Sequence, residues 1–188
     1  MVSRAETSGR MGGRPVQRIA FSAEEIAARV ATMGREITSH YPRGQKLLVL
    51  GLLKGSFIFL ADLSRRLTIP RSVDFMALST YGNATQTNGA VRMIMDLRRN
   101  IAGRHVLVVE DIVDTGYTIS YLLRALATRH PASLKTCVLV HKPDRRQVPV
   151  QIDYLGFEIP DVWVVGFGLD WSERYRTLPY IGVVEPGD

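Results

Sequence analysis

The stretch Val106-Leu-Val-Val-Glu-Asp-Ile-Val-Asp-Thr-Gly-Tyr-Thr-Ile-Ser120 constrains the fold more than any other part of the chain. Its four leading apolar residues, three of them valine, read as a buried strand of a parallel sheet. The strand is expected to end at two adjacent acids, Glu110 and Asp111. Asp114 follows, then Thr115, Gly116, Tyr117 and Thr118, where a helical pattern starts. In open α/β sheets a buried strand that empties into a turn at a helix N-terminus is where ligands bind. Free amides and the helix dipole there favour an anion such as phosphate. Carboxylates beside a phosphate repel it unless they hold a cation or accept hydrogen bonds from sugar hydroxyls. The combination points to a phosphorylated sugar and a divalent metal.

The rest of the chain supplies the sheet. Ser22-Ala-Glu-Glu25 is a capping box, and Ile26, Val30, Met33 and Ile37 follow it at helical spacing as a core face. Lys46–Leu50 reads as a second buried strand, running through Gly51-Leu-Leu-Lys-Gly55 into a helix from Ser56 to Arg66. Lys54 thus stands between a strand end and a helix start, either solvated or part of an anion site. A strand over Arg71–Leu78 and a returning strand over Val91–Met95 flank the polar, glycine-containing segment Ser79–Gly89. Its length fits an active-site lid or a disordered connector. Beyond the acidic turn, Ile119, Leu122, Leu123 and Leu126 mark a helix, and Lys135–Val140 a strand that delivers Lys142. Asp153–Pro160 is expected to be an irregular connection before Trp163-Val-Val165, and Pro179–Val184 a last strand. Strands alternating with helices imply one α/β domain with a mostly parallel sheet, a size that 188 residues support.

Composition narrows the context. The single cysteine, Cys137, lies in an apolar run and has no partner for an internal disulfide, as expected of core in a reducing compartment. The apolar window from Leu47 to Leu63 is interrupted by Lys54 and Asp62 and is too short to span a bilayer comfortably. With no signal-peptide pattern at the N-terminus, a cytoplasmic protein without membrane partners is expected. About half of the net charge of +6 falls in residues 1–17 and Arg18, so residues 1–17 read as a basic, mobile or weakly docked tail and 18–188 as the domain. The remaining surplus fits a polyanionic small molecule better than RNA, because no aromatic RNA-binding signature accompanies it.

Several motifs are absent: no G-x-x-x-x-G-K-[ST], and no G-x-G-x-x-G after the first strand. Asp114-Thr-Gly116 spells the aspartic-protease triplet, but it occurs once and leads into a helix. Taken alone, Asp114 also fits an N-cap-like aspartate, and Trp163 beside valines fits core as well as a stacking platform.

Glu110-Asp-Ile-Val-Asp-Thr-Gly-Tyr-Thr118 resembles the phosphoribosyl-diphosphate (PRPP) signature of the type I phosphoribosyltransferases. From about Arg18 onward the chain is similar to the hypoxanthine-guanine members of that family. Separate segments agree in order: Leu53-Lys-Gly55, Ser79-Thr-Tyr-Gly82, the acidic turn, Lys142, and Gly156–Asp161 through Trp163–Gly166 to Asp170 and Arg176. The resemblance implies the family's fold, with a mostly parallel central sheet flanked by helices, a small hood subdomain and a flexible active-site loop. It implies transfer of the 5-phosphoribosyl group from PRPP to N9 of hypoxanthine or guanine, releasing pyrophosphate, with Mg²⁺ as cofactor. Xanthine preference, or RNA-binding regulation on the same fold, stands as the alternative.

The site roles come by the same resemblance. Thr115, Gly116, Tyr117 and Thr118 would cradle the 5-phosphate. Glu110 and Asp111 would bind the ribose hydroxyls and a metal, with Asp170 on a second metal. Asp114 would be the general base or acid at purine N7. Lys54, Gly55 and Arg176 would bind pyrophosphate, and Lys142, Trp163 and Val164 the purine. Thr80 and Tyr81 would belong to the flexible loop, with threonine standing where relatives carry serine. No nucleic-acid partner is implied, and a homodimer or homotetramer is expected.

Overall fold

The computed structural model describes residues 15–80 and 91–185. Six strands form the main sheet, in the order β4-β3-β2-β5-β6-β7. They are β2 (Leu47–Leu53), β3 (Arg71–Thr80), β4 (Val91–Met95), β5 (His105–Val113), β6 (Ser133–His141) and β7 (Tyr154–Glu158). All neighbours are parallel except β3 and β4, which form an antiparallel pair. A second, antiparallel sheet of three strands, β1 (Arg18–Phe21), β9 (Ile181–Val184) and β8 (Trp163–Val165), makes the hood. The expected α/β class with its mostly parallel sheet is the observed fold.

Two layers of core hold the sheet. Helices α1 (Ala23–His40) and α2 (Phe57–Arg66) cover one face, where Ile26, Val30, Met33 and Ile37 pack with Val49, Leu107 and Leu139. Helix α3 (Tyr117–Ala127) covers the other, where Ile119, Leu122 and Leu126 meet Leu48, Val106, Val108 and Val138. Alternate residues of each strand feed opposite faces, so the continuous apolar runs of β2, β5 and β6 fill both layers. The capping box forms as expected: Glu25 N–H donates to Ser22 Oγ (3.2 Å), and Ser22 N–H donates to Glu25 Oε2 (2.7 Å).

Three boundaries differ from the sequence expectation. Asp153–Pro160 is not irregular, since Tyr154–Glu158 forms edge strand β7 in register with Cys137–His141. Gly156 obscured the pattern; a Cβ there would strike the Leu139 carbonyl, so the strands approach too closely for a side chain. Strand β2 runs on to Leu53, which brings Lys54 directly to its C-terminal end. Strand β5 does not stop at its acids. It pairs with β6 through Val113↔His141, so Glu110 and Asp111 lie inside the last part of a buried strand.

Residues 1–14 of the expected tail lie outside the described residues. Further along that tail, Gln17 N–H donates to Val183 O (3.0 Å) and Val16 packs beside Tyr175 and Leu178.

Candidate active site

The C-terminal ends of β2 and β5 lie side by side, and the segments that leave them meet. A Cβ on Gly55 would overlap the Asp111 carboxylate, and one on Gly168 would overlap the Gly55 carbonyl. The loop after β2, the acid-bearing end of β5 and the 166–176 segment are therefore in contact at one sheet edge. Gly168 holds φ +105°, a left-handed backbone that glycine adopts without strain.

The acidic turn itself closes on α3. Gly116 caps that helix with φ +88°, and a side chain there would meet the Val148 carbonyl at 2.7 Å. No acidic residue occupies the first turn of α3, so the dipole and free amides at Tyr117 and Thr118 stay available to an anion. Beside them is a cavity of about 230 Å³, lined by Glu110, Asp114, Thr115, Gly116 and Thr118 among others.

Glu110 and Asp111 are each 9% exposed. Burial pushes the Glu110 carboxyl well above the ordinary carboxylate range, and the adjacent Asp111 charge pushes it further. Burial also raises Asp111, against the opposing pull of the Glu110 hydrogen bond, its own and the Ile112 amide, and the Arg176 charge. Glu110 Oε2 is buried without a hydrogen-bond partner, a position a ligand would satisfy. Such a pair suits Mg²⁺, which typically takes one or two carboxylates and completes its shell with substrate oxygens and water. Among the described residues there is no cluster of three or more His, Cys, Asp and Glu side chains placed to hold a metal. The donor set thus fits a metal completed by substrate rather than an all-protein cage.

Opposite the acids stand the cations. Arg176 donates from Nη1 to Gly168 O (2.9 Å) and pairs through Nη2 with Asp170 Oδ1 (2.9 Å). Glu173 Oε2 lies between Lys54 Nζ (3.1 Å) and Arg176 Nη2 (3.3 Å). One carboxylate therefore occupies the space between two side chains that sequence reading assigned to pyrophosphate.

On the other flank, β6 ends at Lys142, which is 5% exposed. Its Nζ lies 3.6 Å from Asp161 Oδ1 and 5.6 Å from the centroid of the Trp163 ring. Trp163 is 47% exposed, and its edge meets Trp171 at a centroid distance of 5.0 Å. Trp163 is therefore not enclosed as core, and its open indole beside a buried ammonium offers the kind of face on which flat polar rings stack. Val164, next in β8, is buried against the α1 side of the core. The Lys142 amide donates to Val113 O (3.0 Å), and Gln147 and Val148 amides donate to Thr115 O (3.0 and 3.1 Å), which clamps this segment onto the acidic turn.

Three charged residues at the site were not singled out from sequence. Arg145, in a short 3₁₀ turn after Lys142, places Nε 2.8 Å from Asp114 Oδ1 and Nη1 3.4 Å from Asp161 Oδ2. Asp161 and Arg145 thus link the Lys142–Trp163 platform to Asp114. Glu173 is the third; its spacing three residues before Arg176 was the available signal. The backbone of Thr80 is the last residue of β3, paired with Val91, and Tyr81 lies outside the described residues.

Comparison with known proteins fits this constellation. The family model described as a phosphoribosyl transferase domain matches residues 21–172, and the chain belongs to that family. The hypoxanthine-guanine phosphoribosyltransferase of Mycobacterium avium is 50% identical over 176 residues, covering 91% of this chain and 87% of that protein. The hypoxanthine phosphoribosyltransferase of Salmonella typhimurium is 48% identical over 161 residues, covering 85% and 90%. A crystal structure of the Bacillus anthracis hypoxanthine-guanine phosphoribosyltransferase superposes with a TM-score of 0.86 at 39% identity, covering 90% of this chain and 99% of that one. The Trypanosoma cruzi hypoxanthine phosphoribosyltransferase gives 0.85 at 42% identity, covering 91% and 92%.

Proposed function

We propose that this chain is a purine salvage enzyme that transfers the 5-phosphoribosyl group of PRPP to N9 of hypoxanthine or guanine, forming the nucleotide and pyrophosphate. The observation that carries the reading is the meeting, at one sheet edge, of the acid pair, the α3 N-terminus, Lys54 with Arg176, and the Lys142–Trp163 platform.

The 5-phosphate sits on the Thr115–Thr118 turn, held by the Tyr117 and Thr118 amides and by threonine hydroxyls. Glu110 and Asp111 accept from the ribose hydroxyls and would hold one Mg²⁺ together with substrate oxygens, and Asp170 would hold a second. Those ions, when bound, neutralise charge gathering on the leaving pyrophosphate. Lys54, the Gly55 amide and Arg176 receive the same group. Trp163 stacks on the purine, Lys142 donates to O6, and the Val164 backbone meets the ring edge. A 6-amino group cannot accept from the ammonium, which disfavours adenine. As N9 bonds to ribose C1 and pyrophosphate departs, the base must lose one proton; Asp114 takes it from N7, with Arg145 holding its carboxylate in place. Lys142 at 5% exposure acts where water competes little, so its hydrogen bond discriminates strongly.

The test is turnover. With PRPP and Mg²⁺, hypoxanthine and guanine should each yield equal amounts of nucleotide and pyrophosphate, while adenine yields none. Turnover of adenine alone, or PRPP hydrolysis that ignores the base, would overturn the reading.

A further inference from the structure

We infer that the opposite edge of the main sheet carries a second anion site, for a small molecule bearing two or more phosphate groups, free or esterified. A cavity of about 700 Å³ opens there, lined by Lys46, Arg71, Arg99, Arg104 and His105 together with the glycine turns at Gly44 and Gly103. Among the described residues, no acidic side chain lines it.

Strand register explains the convergence. Leu47 pairs with Arg71 on one side and with His105 on the other, so the N-terminal ends of three adjacent parallel strands deliver their cations to one level. The groups are also held. Arg71 Nη1 donates to Leu67 O (3.0 Å) and Ile69 O (3.3 Å), Arg104 Nη2 donates to Ser72 Oγ (2.8 Å), and His105 Nδ1 is 2.8 Å from Ser133 Oγ. Gly44 and Gly103 have nothing within 4 Å of where a Cβ would stand, which leaves the rim open.

What distinguishes this cluster from other unpaired surface arginines is that its cations share one cavity. Arg29, Arg65, Arg129, Arg145 and Arg176 each pair with a carboxylate. Among the described residues, Lys46, Arg71, Arg99 and Arg104 have no carboxylate within 4.0 Å. Like charges crowded into a concavity raise its potential and concentrate anions. The volume lies within the roughly 300–1,000 Å³ of small-molecule pockets. Among the described residues no Phe, Tyr or Trp lines it for base stacking, which favours a compact polyanion over a nucleic-acid strand. Strand β5 separates it from the acidic turn: His105–Val113 spans about 26 Å at ~3.3 Å per residue. The two sites are therefore distinct.

The test uses metal-free protein and inorganic tripolyphosphate, followed by calorimetry. In a Lys54→Ala/Arg176→Ala background, which removes the cations facing the acid pair, one equivalent should still bind per chain. Adding Lys46→Glu and Arg99→Glu, both at exposed positions, should weaken that binding at least tenfold. The same double reversal in the wild-type chain should leave turnover at saturating substrate unchanged, which also reports on folding. A control reversal at exposed Arg35 and Arg124 should change the affinity less than twofold. No binding in the first background, or equal weakening by the control pair, would overturn the proposal.

Discussion

Replacing Glu110 by glutamine should stabilise the ligand-free protein while damaging its function. The carboxyl is buried at the end of β5, its Oε2 has no partner, and Asp111 stands next to it. Leaving a buried group unsatisfied costs about 1–3 kcal/mol, more when it is charged. Glutamine keeps the shape and removes the charge. In a chain of 188 residues, each kcal/mol moves the melting temperature by roughly 2–4 °C, so the variant should melt about 2–12 °C higher. The pH dependence gives the sharper test. The folded-state pKa of Glu110 is raised by burial and by Asp111, so the native chain binds this proton more tightly than the unfolded chain. That contribution is fully present below the unfolded value of about 4.3 and is lost as pH rises through the folded one. The gap between variant and wild type should therefore be wide at pH 8 and shrink toward acid. Calorimetric melts in EDTA across this range measure it. With PRPP and Mg²⁺ added, the wild type should gain more than the variant. A variant that melts below the wild type at pH 8, or a gap that does not change with pH, would refute the reasoning.

Other expected outcomes follow from the same geometry. Asp114→Asn should cut kcat by about 10²–10⁴, the usual worth of general acid–base help, with the Kd for PRPP measured by calorimetry nearly unchanged. Lys142→Met should raise the KM for hypoxanthine by roughly 10–150-fold, the equivalent of a charged hydrogen bond of about 1.5–3 kcal/mol, and steady-state kinetics will show it. Glu173→Gln removes the carboxylate lying between Lys54 and Arg176; if the proposed pyrophosphate site is correct, product-inhibition kinetics should show pyrophosphate binding several-fold tighter. Gly55→Ala should abolish turnover, because its Cβ and the Asp111 carboxylate claim the same space; rate assays on folded protein, verified by circular dichroism, test this.

Much of this was legible in the chain because each feature rests on local pattern. Buried parallel strands need continuous apolar runs, so β2, β5 and β6 announced themselves. The α3 N-terminus was marked by Gly116 and its flanking threonines. What stayed hidden depended on partners distant in sequence. Strand β7 was masked by Gly156, whose reason is the Leu139 carbonyl on a neighbouring strand. The placement of Glu110 and Asp111 inside β5 depends on pairing with Val138 and Val140, which no pattern of carboxylates advertises. Arg145 carries no motif, and its role emerges only where the Lys142 segment folds back over Asp114. The basic cavity was spread across 44–46, 70–72 and 99–105, and only sheet register brings those stretches together.

The central claim is spatial, and a crystal structure of the protein with PRPP, Mg²⁺ and a non-reactive purine analogue tests it most directly. The proposed geometry puts the 5-phosphate on the Thr115–Thr118 amides, the ribose hydroxyls at Glu110 and Asp111, and pyrophosphate between Lys54 and Arg176 with Glu173 turned away. A 5-phosphate seated elsewhere, with the α3 N-terminus left to solvent, would contradict it.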